Sequence, residues 1–325
     1  MIEEVGKNIF RIEVRLPDNP LRTLNSYLIK DSVRSLLIDT GFRAEKCRED
    51  LCAGFEELGL DIEEVDIYLT HMHADHSGLA SGMAGRGRRI YIGEIDLSWL
   101  RNVASVANNW DRLTSRYVSA GMPEYIIENM EAINPAIKMA AIPGGDKYYT
   151  LKDGDTLNAG GYTFRCVHTP GHTPGHMCLW SEDAGLMFTG DHVLFDITPN
   201  ITAWPSVRDT LGDYLDSLYA VRKYPVKSAL PGHRKTGDFH TRIDELIEHH
   251  HRRLAEIVDI VTESPGLNAY DISGKMKWRI RAANWDEFPD AQKIFAVGEC
   301  ISHLDYLCLR GKLSRQNTGT VDRYS

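Results

Sequence analysis

The 325-residue sequence contains no C-x-x-C pair; its six cysteines, Cys47, Cys52, Cys166, Cys178, Cys300 and Cys308, stand apart. That argues against thiolate zinc sites and thioredoxin-like chemistry, and leaves reduced, buried, small apolar side chains as the expectation. No apolar run approaches the ~20 residues that cross a bilayer. The stretch MIEEVGKNIF carries an acidic pair and no apolar h-region, so no secretory signal is read there. These absences predict a cytoplasmic protein without a membrane span. Basic residues are also in deficit, 37 Lys and Arg against 46 Asp and Glu, for a net charge of -9. Bulk nucleic-acid binding usually needs a basic face. The charge therefore speaks against it, while leaving room for a local basic groove. There is no internal repeat and no low-complexity segment.

What is present suffices for a core. Hydrophobic residues make up 42% of the chain, and the length suits one domain of about 200–250 residues plus a smaller one. NIFRIEVRL and NSYLIK alternate apolar and polar residues, and SLLID is a short apolar run, so all three read as strands. A helix is expected from about Arg43 to Leu58. VDIYLT and RRIYIG read as further strands. From about 95 to 137 the period turns helical, with Gly121 and Pro123 as a break. Strands return at YTFRCVH, HMCLWS and GLMFTG, followed by a helix near DTLGDYLDSLYAVRKY and the short strand SALPG. This order predicts a mixed α/β (α+β) domain over residues 1–240, with histidines where strands end and loops begin. Residues 241–325 read as three helices and a closing hairpin with its turn at Asn317 to Gly319, an arrangement like a winged-helix module.

The stretch THMHADHSG, residues 70–78, holds three histidines and an aspartate within six positions. His71 and His73 are two apart, so an extended segment projects both to one side. Asp75 and His76 follow one turn later. One loop can thus aim two imidazoles at one point, and a carboxylate with a third imidazole at a neighbouring point. Two adjacent metal ions make that demand, and each needs further ligands. VHTPGHTPGHMCLW offers His168, His172 and His176. His172, in a turn braced by Pro and Gly, is the best candidate, and the flanking two read as supporting or packing residues. Asp191, just past the strand in FTGDHVL, can bridge two cations with its two oxygens. His192 beside it faces the other way, and His233 follows the short strand in LPGHRK.

The set resembles the metallo-β-lactamase-fold hydrolases. The family's H-x-H-x-D-H motif matches His71, His73, Asp75 and His76. Its T-P-G-H-T histidine matches His172, its T-G-D aspartate Asp191, its P-G-H histidine His233, and its early D-T-G aspartate Asp39. The match covers roughly residues 5 to 240. It implies an αββα sandwich of two face-to-face sheets with helices outside. It also implies two divalent ions, zinc before iron or manganese. His71, His73 and His172 would hold one; Asp75, His76 and His233 the other, with Asp191 between. Asp39 would orient a ligand histidine through its ring N–H, and Thr70 and Thr189 would orient the loops. The activity implied is hydrolysis by a hydroxide bridging the metals, with Asp75 guiding a proton to the leaving group.

The substrate is less legible. HTPGHTPGH with FTGDHVL looks closest to the hydroxyacylglutathione hydrolase branch, which favours a thioester or ester-type small molecule. The winged-helix-like tail is similar instead to lactamase-like proteins that include a single-stranded RNA endonuclease, so a metal-dependent ribonuclease is the alternative. Iron-dependent persulfide oxidation is a third reading. Flavodiiron proteins of this fold carry Glu where this chain has His73, which argues against oxygen reduction. The 95–137 insert reads as a lid or as packed helices. Trp99, Arg112, Arg116 and Tyr117 on it, with Trp204 in DITPNITAWP, are candidate substrate contacts. The tail carries Lys275, Lys277, Arg279 and Arg281 around Trp278, but its charges nearly balance, so it reads as a structural cap or a homodimer contact.

Overall fold

The computed structural model of the chain describes residues 2–83, 88–103, 114–133, 139, 141, 147–205, 207–279 and 282–325. Seven strands form a first sheet in chain order: β1 (Ile2–Gly6), β2 (Ile9–Arg15), β3 (Thr23–Ile29), β4 (Ser35–Ile38), β5 (Val65–Leu69), β6 (Arg89–Gly93) and β7 (Lys147–Leu151). Pairing is antiparallel from β1 to β4 and parallel from β4 to β7. A second sheet holds β8 (Thr156–Ala159), β9 (Tyr162–His168), β10 (Met177–Ser181), β11 (Leu186–Gly190) and β12 (Ser228–Pro231). Its one parallel pair is β11 with β12.

The alternation read from the sequence decides the packing. Ile9, Tyr27, Ile29, Ile38 and Tyr68 of the first sheet meet Phe164, Cys166, Met177, Leu179, Phe188 and Leu230 of the second in one buried cluster. The opposite face of the first sheet, with Ile12, Val14, Leu24, Leu28 and Leu37, is covered by Cys47, Leu51 and Phe55 of helix α1 (Glu45–Glu57). Each fully buried aliphatic or aromatic side chain contributes about 1.5–3 kcal/mol. A one-residue slip would turn this whole set outward, so the register is firmly specified. Strand β5 lies between two parallel neighbours and buries all five residues, which is why VDIYL is nearly continuous in apolar character.

Short helices follow the strands: α2 (Ala74–Ser77) after β5 and α3 (Glu94–Val103) directly after β6. Residues 114–119 are helical, followed by α4 (Glu124–Ile133), α5 (Thr210–Val221), α6 (Phe239–Glu263), α7 (Ala269–Lys275) and α8 (Asp290–Leu309). A hairpin of β13 (Arg315–Asn317) and β14 (Asp322–Tyr324) closes the described chain. The tail thus has the three helices and hairpin expected from its sequence. Strands β1, β7 and β8 were not read from it, because IEEVG, KYYTL and TLNA lack a clean apolar alternation.

The chain packs as two compact units. One comprises Met1–Ser105, Pro135–Pro199 and Ser217–Ile243, and holds both large sheets. The other comprises Val106–Asn134, Asn200–Asp216 and Asp244–Ser325. The packing therefore differs from the division at residue 240: most of the 95–137 insert clusters with the tail. Within this second unit, α8 packs against α7 and α4. Arg116 and Arg315 both pair with Asp305. No described helix is long and apolar enough to cross a membrane.

Candidate metal centre

All seven ligand candidates lie in the first unit, at strand ends. His71 follows β5 by two residues and His73 caps α2, whose single turn carries Asp75 and His76. His172 sits in the loop between β9 and β10, Asp191 follows β11, and His233 follows β12. The structure brings them together as two linked sets. His73 Nδ1 lies 3.1 Å from His71 Nε2 and 2.9 Å from His172 Nε2. His233 Nε2 lies 3.2 Å from His76 Nε2 and 3.4 Å from Asp75 Oδ2. The Asp191 carboxylate stands between the sets, with Oδ1 3.4 Å from His76 Nε2 and Oδ2 3.7 Å from His172 Nε2 and 3.6 Å from His233 Nε2. Within each potential ligand group the donor atoms fall within 4.8 Å of one another.

Surrounding hydrogen bonds settle which ring nitrogens face inward. Asp39 is fully buried, with φ +60. Its Oδ1 accepts from the Thr70 N–H (2.9 Å), and its Oδ2 accepts from the Thr70 hydroxyl (2.8 Å) and from His76 Nδ1 (2.8 Å). Because the Thr70 hydroxyl donates to Asp39, it must accept from His71 Nδ1, 3.0 Å away. His233 Nδ1 donates to the Thr23 carbonyl at 2.8 Å. The Nε2 lone pairs of His71, His76 and His233 are thereby left for the site.

The two halves differ electrostatically. Burial, reinforced by the neighbouring imidazoles, holds His71 well below its ordinary pKa and brings His73 down to about 3, so both stay neutral. Around His76 burial acts the same way, but the carboxylates of Asp39 and Asp191 outweigh it and raise the ring well above its ordinary value. Burial also works against the charge of Asp75 and Asp191, yet the histidines around them hold both carboxyls far below the usual range. Asp191 Oδ1 is buried and accepts no hydrogen bond among the described residues. Convergent imidazole nitrogens and a buried carboxylate oxygen lacking a donor fit divalent cations of the zinc, iron or manganese type.

Two groups that hold the ligand loops escaped the sequence reading. Asp96, in the first turn of α3, accepts from the Met72 N–H (2.9 Å), the Thr173 hydroxyl (2.7 Å) and the Gly175 N–H (2.6 Å). Burial lifts its carboxyl to about 6 in spite of these three donors. Asn25, inside β3, donates from Nδ2 to the carbonyls of Pro231 (3.1 Å) and Arg234 (2.7 Å) on either side of His233. Gly232 is required between them: a Cβ there would sit 2.7 Å from both Asp191 Oδ1 and His76 Cε1.

The other candidates fall elsewhere. His176 accepts the Asp191 N–H at Nε2 (3.3 Å), so it supports the bridging residue from behind. His168 donates to the Pro174 carbonyl (3.0 Å). His192 is buried, its ring centroid 5.9 Å from that of His176. Trp99 is half-buried on α3, one turn beyond Asp96. In the second unit Arg116 is committed to Asp305. Tyr117 is buried with its hydroxyl donating to the Ile294 carbonyl, a packing role rather than an open contact surface. Trp204 is half-buried in the same unit. Arg112 lies outside the described residues.

Comparison with known proteins places these observations in a family. Residues 20–233 match the model of the metallo-beta-lactamase superfamily. Over 245 residues the chain is 27% identical to the lactamase-like protein aptB of Emericella nidulans, covering 75% of this chain and 62% of that protein. It is 24% identical over 246 residues to an atrochrysone carboxyl ACP thioesterase of the same organism, covering 76% and 61%. It thus spans less than two thirds of either fungal protein. Among solved structures, a beta-lactamase domain protein from Burkholderia ambifaria superposes with a TM-score of 0.85 at 27% identity, covering 100% of this chain and 94% of that one.

Proposed function

We infer the function from one premise: this chain belongs to the metallo-beta-lactamase superfamily. We propose that it cleaves a thioester or ester-type small molecule with two divalent ions, zinc being the best match to the donor set. The observation that carries this reading is the pair of ligand sets joined by one carboxylate, Asp191. When bound, the cations supply Lewis acidity, acidifying a water and polarising the scissile carbonyl.

The chain's own residues do the rest. His71, His73 and His172 would hold one ion and Asp75, His76 and His233 the other, with the Asp191 carboxylate, which stands between the sets, available to both. The Asp75 carboxylate, beside His233, accepts the proton released by the attacking water and passes it to the leaving group. In the net reaction a C–O bond forms, the C–S or C–O bond to the leaving group breaks, and a carboxylic acid and a thiol or alcohol result. The thioesterase named among the relatives supports the thioester arm. The acidic net charge supports a small molecule over RNA.

The test is a panel of thioesters, lactones, phosphodiesters and single-stranded RNA, run with metal analysis and a His73→Ala control. Metal-dependent thioester or ester turnover, lost in the variant, is the expected result. RNA cleavage without ester turnover, or oxygen uptake with a persulfide, overturns the proposal.

A further inference from the structure

The Asp96 carboxylate occupies a singular position. It is fully buried, and no cation lies against it among the described residues. A buried charge without a counter-ion is costly, and among the described residues the hydrogen bonds that compensate it come from the three donors already named, beside the N-terminal end of its own helix. All three belong to the loops that carry the trihistidine set. Met72 lies between His71 and His73. Thr173 follows His172, and Gly175 closes the same turn.

The backbone is also cleared to let the carboxylate in. A Cβ on Gly175 would collide with the Asp96 backbone nitrogen and carboxylate, and one on Gly93 would collide with the Gly175 carbonyl. Two glycines therefore accept their conformational cost so that β6, the start of α3 and the His172 turn can touch. The loops meet elsewhere, through the Met177 N–H on the Thr70 carbonyl (2.9 Å) and the Tyr68 hydroxyl on the Met177 carbonyl (2.9 Å). Those bonds lie on the strand side of the ligands. Asp96 alone among these groups is bonded to residues adjoining all three ligand histidines.

We propose that Asp96 is a positioning residue for the trihistidine set: it fixes the separation of the His71–His73 loop from the His172 turn, and so sets how tightly that set holds a cation. The proposal rests on the metal reading of the same site. It makes a distinction that reading does not, because Asp96 bonds nothing on the His233 loop and reaches Asp75 and His76 only through the Met72 N–H, three and four residues before them, whereas it bonds residues next to all three histidines of the other set.

The test uses the full chain stripped of metal and titrated with Co2+ and Zn2+. Wild type is compared with Asp96→Asn and Thr173→Val, each also in a His233→Ala background where only the trihistidine set is complete. Asp96→Asn turns an amide N–H toward groups that are themselves donors. It should weaken cation binding in the His233→Ala background at least ~10-fold and shift the Co2+ ligand-field bands. Thr173→Val removes one donor of three and should give a smaller loss in the same direction. The second equivalent in the otherwise wild-type chain should keep its affinity. Unchanged affinity and bands in Asp96→Asn overturn the proposal, as does an equal loss of both cations together with a lowered Tm. A wild-type chain that takes up no cation overturns the hydrolase reading and this inference together; a wild-type-like variant overturns this inference alone.

Discussion

Replacing Asp39 with asparagine tests the reasoning about ring tautomers most directly. The residue sits at φ +60, a conformation that Asn tolerates as well as Asp, so the backbone has no reason to move. What changes is the hydrogen bonding. An amide has one acceptor oxygen where the carboxylate has two. With that oxygen toward the Thr70 N–H, the NH2 group faces the Thr70 hydroxyl and His76 Nδ1. Both bonds must then reverse, and the Thr70 hydroxyl turns to donate to His71 Nδ1. The protons of His71 and His76 move to Nε2, the atoms proposed to face the metals. With the amide turned the other way, its NH2 opposes the Thr70 N–H. The first arrangement disturbs one ligand in each set; the second keeps both ring protons in place and strains only the Thr70 N–H that starts the His71 loop. Loss of such an outer partner typically costs 10–100-fold in metal affinity, about 1.4–2.8 kcal/mol per ion. Competition against a chromophoric chelator measures it. Wild-type affinity for both ions in a folded Asp39→Asn chain would refute the tautomer argument.

Three other outcomes follow from the same geometry. Asn25→Ala removes two hydrogen bonds to the His233 loop. It should cost about 2 kcal/mol in chemical denaturation and weaken binding of the cation proposed for Asp75, His76 and His233. Gly232→Ala places a methyl group 2.7 Å from Asp191 Oδ1 and His76 Cε1; activity should fall at least ~10-fold while far-UV circular dichroism is unchanged. In the second unit, burial raises the Glu299 carboxyl to about 7, with Arg253 and Asn200 only partly offsetting it. The folded chain then binds more protons than the unfolded one between about pH 4.5 and 7, so this residue's contribution to stability falls as pH rises through that window. Glu299→Gln should therefore gain up to about 3 kcal/mol relative to wild type at pH 8 and almost nothing at pH 4.5, read by urea unfolding at both.

The ligand candidates were legible because each lies in a short local pattern: a string of histidines after a buried strand, or a single His or Asp after an apolar run. The strands and the mixed α/β character were legible from apolar alternation, and the sandwich only from the resemblance to a family. Asp96 was not, since an acidic residue in the first turn of a helix is what the helix dipole favours anyway. Its three bonds are visible only once two loops about a hundred residues apart converge. Asn25 was hidden for the related reason that a polar residue in a strand reads as an outward-facing position. The clustering of the insert with the tail was equally unreadable, because amphipathic helices state which face they bury and not which element they bury it against.

The bonds that seat His233 also impose an order of events. Asn25, Tyr27 and Thr23, near the start of the chain, grip the Pro231–Arg234 loop across sequence separations of 206, 204 and 210 residues. Contacts that distant form only after a large loop-closure entropy has been overcome. During synthesis His172, with the Gly175 and Met177 bonds that seat its turn, emerges well ahead of His233, some sixty residues further on. On the proposed function, the trihistidine set would be complete before the set of Asp75, His76 and His233, and a second cation would find its ligands only once that last loop is seated.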